Sequence, residues 1–142
     1  MYTGYLDVIQ VIYYIFEEEP AAEILPVAKK SNVGVIIWVA FDEGMLTGKY
    51  SAESTFSEGD FRNNYFDDDR LSRAVERVEL IKNEIKGSGL TMPQGALKFP
   101  LCHESVSTVI PWIRNNYQAN ANSAVSDLED LSETLIVERI MV

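Results

Sequence analysis

Cysteine and histidine are nearly absent: the 142 residues hold one of each, Cys102 and His103. A single thiol permits no internal disulfide and suits a reducing cytoplasm. With no second histidine and no other thiol nearby, His103 reads as a structural or solvated side chain, and no metal site is expected. Positive charge is also scarce. Twelve Lys and Arg stand against 22 Asp and Glu, a formal net charge of -10 at pH 7, with a pI near 4.5. This excess argues against nucleic-acid binding and against attachment to an anionic membrane. No apolar run approaches the roughly 18 residues needed to span a bilayer, and no segment reads as a signal peptide. Internal repeats, low-complexity tracts and linkers are missing, so residues 1–142 read as a single domain.

What is present centres on Val33–Tyr50, VGVIIWVAFDEGMLTGKY. Val33, Val35, Ile36, Ile37 and Val39 form a short β-branched run without the alternation of a half-exposed strand. Such a run predicts a strand buried on both faces, in a parallel sheet covered by helices. Gly44 and Gly48 then let the backbone turn tightly or approach a ligand. Leu6–Phe16 and Val106–Ile110 are two further strand candidates, and Gln10 is the polar exception inside the first. Between them Glu18–Lys30 reads as a helix, acidic at its start and ending on Lys29-Lys30, with Pro26 as a point of kinking or shortening. Arg70–Lys86 repeats Leu71, Ala74, Val75, Val78, Ile81 and Ile85 at helical spacing. Thr91 with Gln94 forms a capping box for a helix that buries Ala96, Leu97 and Phe99 and is weakened by Gly95 and Pro100. Asn115 with Gln118 repeats the capping pattern, predicting a helix near Asn116 whose N-terminus suits phosphate. Ser132 opens a last helix to about Ile140. Ser51–Asp69 is a long polar loop of the kind that is usually functional or mobile.

Three of these stretches resemble blocks of the aldo/keto reductases. GMLTGKY, Gly44–Tyr50, resembles the loop after the seventh barrel strand of that family; STVIPWIRNNYQANAN, Ser107–Asn122, resembles the eighth strand and following helix; DVIQVIYY, Asp7–Tyr14, resembles the sixth strand with its glutamine. The blocks stand in family order and at family spacing. The resemblance implies an α/β fold, part of a (β/α)8 TIM barrel, with about three parallel strands, the sixth to eighth, under covering helices. A whole barrel needs roughly 250 residues, so the chain corresponds to the C-terminal part of a family member.

The same resemblance implies an NADP site. Gln10 holds the nicotinamide carboxamide, and Trp38 stacks on its ring. Phe41, Gly44 and Lys49 line the pyrophosphate, and Arg62 reaches a phosphate from a lid made by the long loop. Arg114, Gln118 and Asn122 meet the adenosine and its 2′-phosphate. Against the family pattern, Val39-Ala40-Phe41 stands for Ser/Arg-Pro-Leu, Trp112 for the glycine after Pro111, Tyr14 for an asparagine and Ala121 for an acid. Bulky groups thus replace small ones along the cofactor path, and the expectation is weak binding. The family's catalytic tyrosine, lysine, aspartate and histidine come from the first part of the barrel. No residue here matches them, and the chain alone is not expected to reduce carbonyls. Three parallel strands also leave open edges and an uncovered face. The expected partner is therefore a second copy, most simply in a two-fold dimer, or a complementing barrel half. Tyr14, Trp38, Phe41 and Trp112 are the aromatic candidates for such a face. The competing readings are the cofactor-binding part of an NADP-dependent oxidoreductase in the cytoplasm, a nucleotide-binding module without catalysis, and a self-associating, non-catalytic half-barrel scaffold.

Overall fold

The computed structural model describes residues 4–136. Its centre is an open sheet of three parallel strands in the order β1-β2-β3. Strand β1 (Val8–Ile12) pairs with β2 (Gly34–Trp38) along its whole length, Val8 opposite Gly34 and Ile12 opposite Trp38. Strand β3 (Thr108–Val109) continues the ladder, Ile36 opposite Thr108. Ser107 N–H and Ile110 N–H donate to the carbonyls of Val35 and Ile37, both at 2.9 Å, and extend this pairing at either end. The Ser107 hydroxyl also accepts from Val35 N–H at 3.0 Å.

All three strands are shorter than the apolar runs suggest, each for a local reason. After Ile12 the chain turns back on itself, Tyr14 and Glu17 exchanging backbone hydrogen bonds of 2.8 and 3.2 Å. Strand β2 stops at Trp38 because Val39 has φ +58°, a left-handed conformation that is strained for a β-branched residue. Strand β3 keeps only two residues before the chain turns to Pro111.

The Glu18–Lys30 helix is in fact two, α1 (Glu19–Ala22) and α2 (Ile24–Lys30), broken at Glu23. Pro26 accounts for the place. It offers no N–H to the carbonyl of Ala22, and its ring would clash with that carbonyl in a continuous helix. Once the helix restarts at Ile24, Pro26 sits harmlessly in a first turn. Helix α2 ends in a Schellman motif: Asn32 is left-handed at φ +54°, its N–H donates to Lys29 O, and Val33 N–H donates to Ala28 O.

Helix α3 (Arg62–Tyr65) is a single turn inside the long loop. Helix α4 (Arg70–Gly87) buries Val78, Ile81 and Ile85, as its periodicity predicts. Helix α5 (Met92–Leu101) starts from Thr91, whose N–H donates to Gln94 Oε1 at 2.9 Å. Helix α6 (Asn116–Ser123) is capped by Asn115 Oδ1, which accepts from Gln118 N–H at 2.9 Å. Helix α7 (Glu133–Leu135) is capped by the Ser132 hydroxyl, and its expected run to Ile140 lies outside the described residues.

Helix α2 lies against β2, α5 against β3 and α4 against α5. Together they bury Val11, Val35 and Ile37, the odd-numbered side of the strands. The other side stays open: Val8, Ile12 and Trp38 are exposed, as are Gln10 and Thr108. Burial on both faces, expected from the unbroken apolar runs, is therefore corrected to burial on one. The aromatic face is corrected too. Tyr14 is buried in the main core and Phe41 packs against both apolar clusters, leaving Trp38 and Trp112 exposed.

Gly95 is a packing requirement as well as a weak helix former. A Cβ there would stand 2.6 Å from Ile85 Cγ2, so only glycine lets α5 come this close to α4. Gly95→Ala is expected to lower stability by about 1–3 kcal/mol through overpacking. Ile85→Ala in the same chain should recover part of that loss beyond simple additivity, as read from urea midpoints. Additive effects would mean that the two residues do not touch.

Candidate functional site

The loop after β2 is where the backbone is most constrained. Asp42, Glu43 and Gly44 have φ of +45°, +53° and +96°, a run that only glycine adopts freely. Asp42 holds it in place. Its buried carboxylate accepts from Tyr65 Oη at 2.5 Å and from Tyr14 Oη at 3.3 Å. Burial, then the neighbouring Asp42 charge, raises the Tyr14 phenol well above its usual range; Tyr65 is pushed up to about 12, burial first and the hydrogen bond to Asp42 second. Both phenols therefore stay protonated and serve as donors. Glu43 beside them is raised as well, mainly by burial and then by Asp42. This Tyr14–Asp42–Tyr65 network is absent from the sequence reading. Its one visible signal was an acid placed next to a glycine in a tight loop.

Behind that turn Gly44, Lys49 and Tyr50 converge. A Cβ on Gly44 would lie 3.3 Å from Tyr50 Oη and 3.5 Å from Lys49 Nζ. Lys49 Nζ stands 4.7 Å from the centre of the Tyr50 ring. Arg62 reaches the same oxygen: its Nη1 donates to Tyr50 Oη at 2.5 Å, while Nε and Nη2 donate to Asp60 at 2.9 and 2.5 Å. Its guanidinium also covers Phe56 at 4.8 Å. Three of the five N–H groups of Arg62 are thus engaged, and two have no partner among the described residues. Asp60, with Arg62 donating to it and Arg114 close enough to add to the effect, falls to about 2 from an ordinary 3.8. Lys49, Arg62 and Arg114 therefore gather round one loop of an otherwise acidic chain.

The second part of the site is a cleft of about 620 Å³ at the C-terminal ends of β1 and β2. Gln10, Ile12 and Trp38 form its floor on the open face, and Glu17, Glu19 and Glu23 stand round it. Gln10 and Trp38 are thus brought together, as are Gly44, Lys49 and Arg62. Phe41 is not part of either group, being packed into the core. The Gln118 side chain is engaged, its Oε1 accepting from Arg114 N–H at 2.7 Å. Asn122 is half-buried near the end of α6. Trp112 projects into solvent beyond β3. Sequence reasoning also missed Lys98, which is buried in α5 and paired with Asp130 at 3.0 Å.

His103 accepts from Ser105 N–H through Nδ1 at 3.2 Å and meets Tyr13 edge-on, and burial lowers its pKa; it is a packed, neutral ring. Among the described residues no group of three or more His, Cys, Asp or Glu is placed to hold a metal ion, and no helix is long and apolar enough to cross a membrane.

Parallel strands joined by helices, with a glycine turn and cations beyond a strand's C-terminal end, define an α/β protein. The glycerol dehydrogenase AKR11B4 from Gluconobacter oxydans has this fold: the structures align with a TM-score of 0.67 at 20% identity, over 95% of this chain and 43% of that one. Residues 5–137 match the Aldo/keto reductase family, and the chain belongs to it. Aldo-keto reductase YhdN of Bacillus subtilis (strain 168) is 37% identical over 59 residues, which cover 42% of this chain and 18% of the relative. A probable voltage-gated potassium channel subunit beta of Arabidopsis thaliana is 26% identical over 125 residues, or 83% of this chain and 37% of the relative. The chain spans less than half the length of these relatives.

Two measurements probe this loop. Asp42→Ala leaves two phenols without an acceptor and should cost about 2–4 kcal/mol, whereas Tyr65→Phe should cost about 1 kcal/mol; urea denaturation separates the two. The Asp60 carboxyl should titrate near pH 2 by NMR and return toward 3.8 in Arg62→Gln. Because its folded pKa is lowered, the Asp60–Arg62 contribution to stability is complete above the ordinary value and lost as pH falls through the folded one. A wild-type midpoint near 3.8 would mean that the ion pair does not form.

Proposed function

We propose that this chain is the cofactor-binding part of an NADP-dependent aldo/keto reductase, corresponding to the sixth to eighth strands of the family barrel, and that it does not catalyse reduction alone. The observation that carries the reading is the placement of Gln10 and Trp38 on one open face, with Gly44, Lys49 and Arg62 grouped at the end of the same sheet. The relative from Schizosaccharomyces pombe, aldo-keto reductase yakc [NADP(+)], names the cofactor and is 25% identical over 93 residues.

The residues present suit such a group. Among the described residues the Gln10 amide has no hydrogen-bond partner and can pair with a carboxamide, and the Trp38 indole offers a flat face for a heteroaromatic ring. Lys49 stands beside Gly44 and Arg62 reaches Tyr50 on the same loop, two cations of a kind that suits a diphosphate. Arg114 adds positive charge on the same side, where a 2′-phosphate is expected. Phe41 is set aside in the core, so Trp112 is the bulky departure whose removal matters. When bound, NADP supplies the hydride. Reduction also needs a proton donor held beside it, and the family's tetrad has no counterpart among these residues. A reducing cytoplasm fits the free thiol of Cys102. The open face also supports the second reading, a non-catalytic scaffold that self-associates.

Titration with NADPH, followed by tryptophan fluorescence, should show weak saturable binding with a dissociation constant above about 100 μM. Lys49→Ala should weaken it about tenfold and Trp112→Gly should strengthen it. Absence of any saturable change would remove the cofactor-binding reading and favour the scaffold. No aldehyde-dependent loss of NADPH absorbance above a heat-killed control is expected, and turnover would overturn the assignment of inactivity.

A further inference from the structure

Two pieces of this chain cannot hold their conformations alone. The loop after β2 carries Asp42, Glu43 and Gly44 at φ of +45°, +53° and +96°, and such angles persist only where the surroundings over-determine them. Helix α3 is a single turn, closed by Tyr65 N–H to Phe61 O at 3.0 Å and Phe66 N–H to Arg62 O at 2.9 Å. One turn gains nothing from helix propagation, so it too depends on what it touches.

The two pieces touch each other at both ends. Tyr65, the last residue of α3, donates to Asp42 Oδ1 at 2.5 Å, at the start of the loop. Arg62, the first residue of α3, donates to Tyr50 Oη at 2.5 Å, at the end of the loop. An aromatic group fills the space beside them. The Tyr50 ring meets Phe56 and Phe66 edge-on with centroids 5.3 and 6.4 Å apart, and Phe56 stacks on Phe66 at 5.7 Å. Asp42 and Phe66 are both buried. Asp60 fixes Arg62 from within the long loop, and Tyr14 donates to Asp42 from the turn after β1. Gly44 and Lys49 lie between the two fastened ends.

We propose that α3 positions the Gly44–Lys49 loop from both ends, so that this loop and residues Phe56–Phe66 order and loosen as one cooperative unit, ahead of the sheet. Tyr65 is a positioning residue, acting through Asp42 rather than by touching a ligand. The link is reciprocal: a diphosphate held at Gly44 and Lys49 stabilises α3, and loss of the α3 contacts weakens that binding. This consequence rests on the cofactor reading given above; the coupling of the two segments does not.

Native-state hydrogen exchange of the full chain tests the coupling. The Gly44 and Leu46 amides, both donating to Phe41 O, report on the loop, and the Tyr65 and Phe66 amides report on α3. In low urea these four should follow one opening that precedes exchange in α4. Tyr65→Phe and Arg62→Gln should each speed all four by about fivefold. Val35→Ala, a buried position near the start of β2, should lower global stability and leave the four rates unchanged. Acceleration confined to the segment that carries the substitution would overturn the proposal. So would equal acceleration by Val35→Ala, since the four amides would then open only with the whole chain. Sodium pyrophosphate, used as the probe, should slow all four, and Tyr65→Phe should weaken its binding about fivefold. Protection of Gly44 and Leu46 without Tyr65 and Phe66 would also overturn the coupling. No binding of pyrophosphate would remove the diphosphate reading of the loop, and the ligand-free rates would then decide the coupling by themselves.

Discussion

Val35 and Ile37 lose all contact with water because helices close over one side of a three-stranded parallel sheet. That one-sided burial is the constraint on which the rest of the structure depends. It makes the spacing of α4 and α5 critical, so Gly95 must lie against Ile85 without a side chain. It also leaves Val8, Gln10, Ile12, Trp38 and Thr108 on the other side in water, with Ile36 half-buried between them. Parallel sheets are rarely stable with one face bare, because their strands carry apolar residues on both sides. The exposed Ile12 and Trp38 are therefore the direct counterpart of the buried Val11 and Ile37.

The same strands set the site. Where β2 ends, four of the six residues from Val39 to Gly44 turn left-handed, with Val39, Asp42, Glu43 and Gly44 at positive φ. Strain of this kind costs about 1–3 kcal/mol per residue and persists only where the surroundings hold it. Here the surroundings are a carboxylate fixed by two phenols, one from the turn after β1 and one from α3. The network ties three parts of the chain together and presents Gly44, Lys49 and Tyr50 on its outer side. Arg62 completes that side through Tyr50 and is itself oriented by Asp60. The carboxylates of the neighbouring cleft and the cations of this loop divide the strand ends into two electrostatic regions.

Much of this was legible in the chain itself. The periodicity of Leu71 to Ile85 predicted α4, and the pairs Thr91/Gln94 and Asn115/Gln118 predicted the starts of α5 and α6, because helical repeats and caps depend on residues only a few positions apart. The motif around GMLTGKY pointed to the family that residues 5–137 match. The strand limits were less legible, since an apolar run does not reveal where its neighbour stops pairing or where a valine turns left-handed. Pro26 marks a kink in the sequence, but the break itself falls at Glu23, because the missing N–H and the ring act on the carbonyl of Ala22. Arg62 was visible as a cation in a polar loop, but its anchoring by Asp60 and Tyr50 depends on how that loop folds back.

Sequence alone determined the element types, their order, the family and the excess of negative charge, all of which follow from local spacing, composition and short motifs. Tertiary structure alone decided which side of the strands meets water, that Tyr14 and Phe41 are core while Trp38 is surface, and that Asp42 pairs with phenols 28 and 23 positions away. The reason is physical: an apolar or ionisable residue has the same intrinsic chemistry in any context, but its burial and its partners depend on segments distant in the chain that only packing brings together.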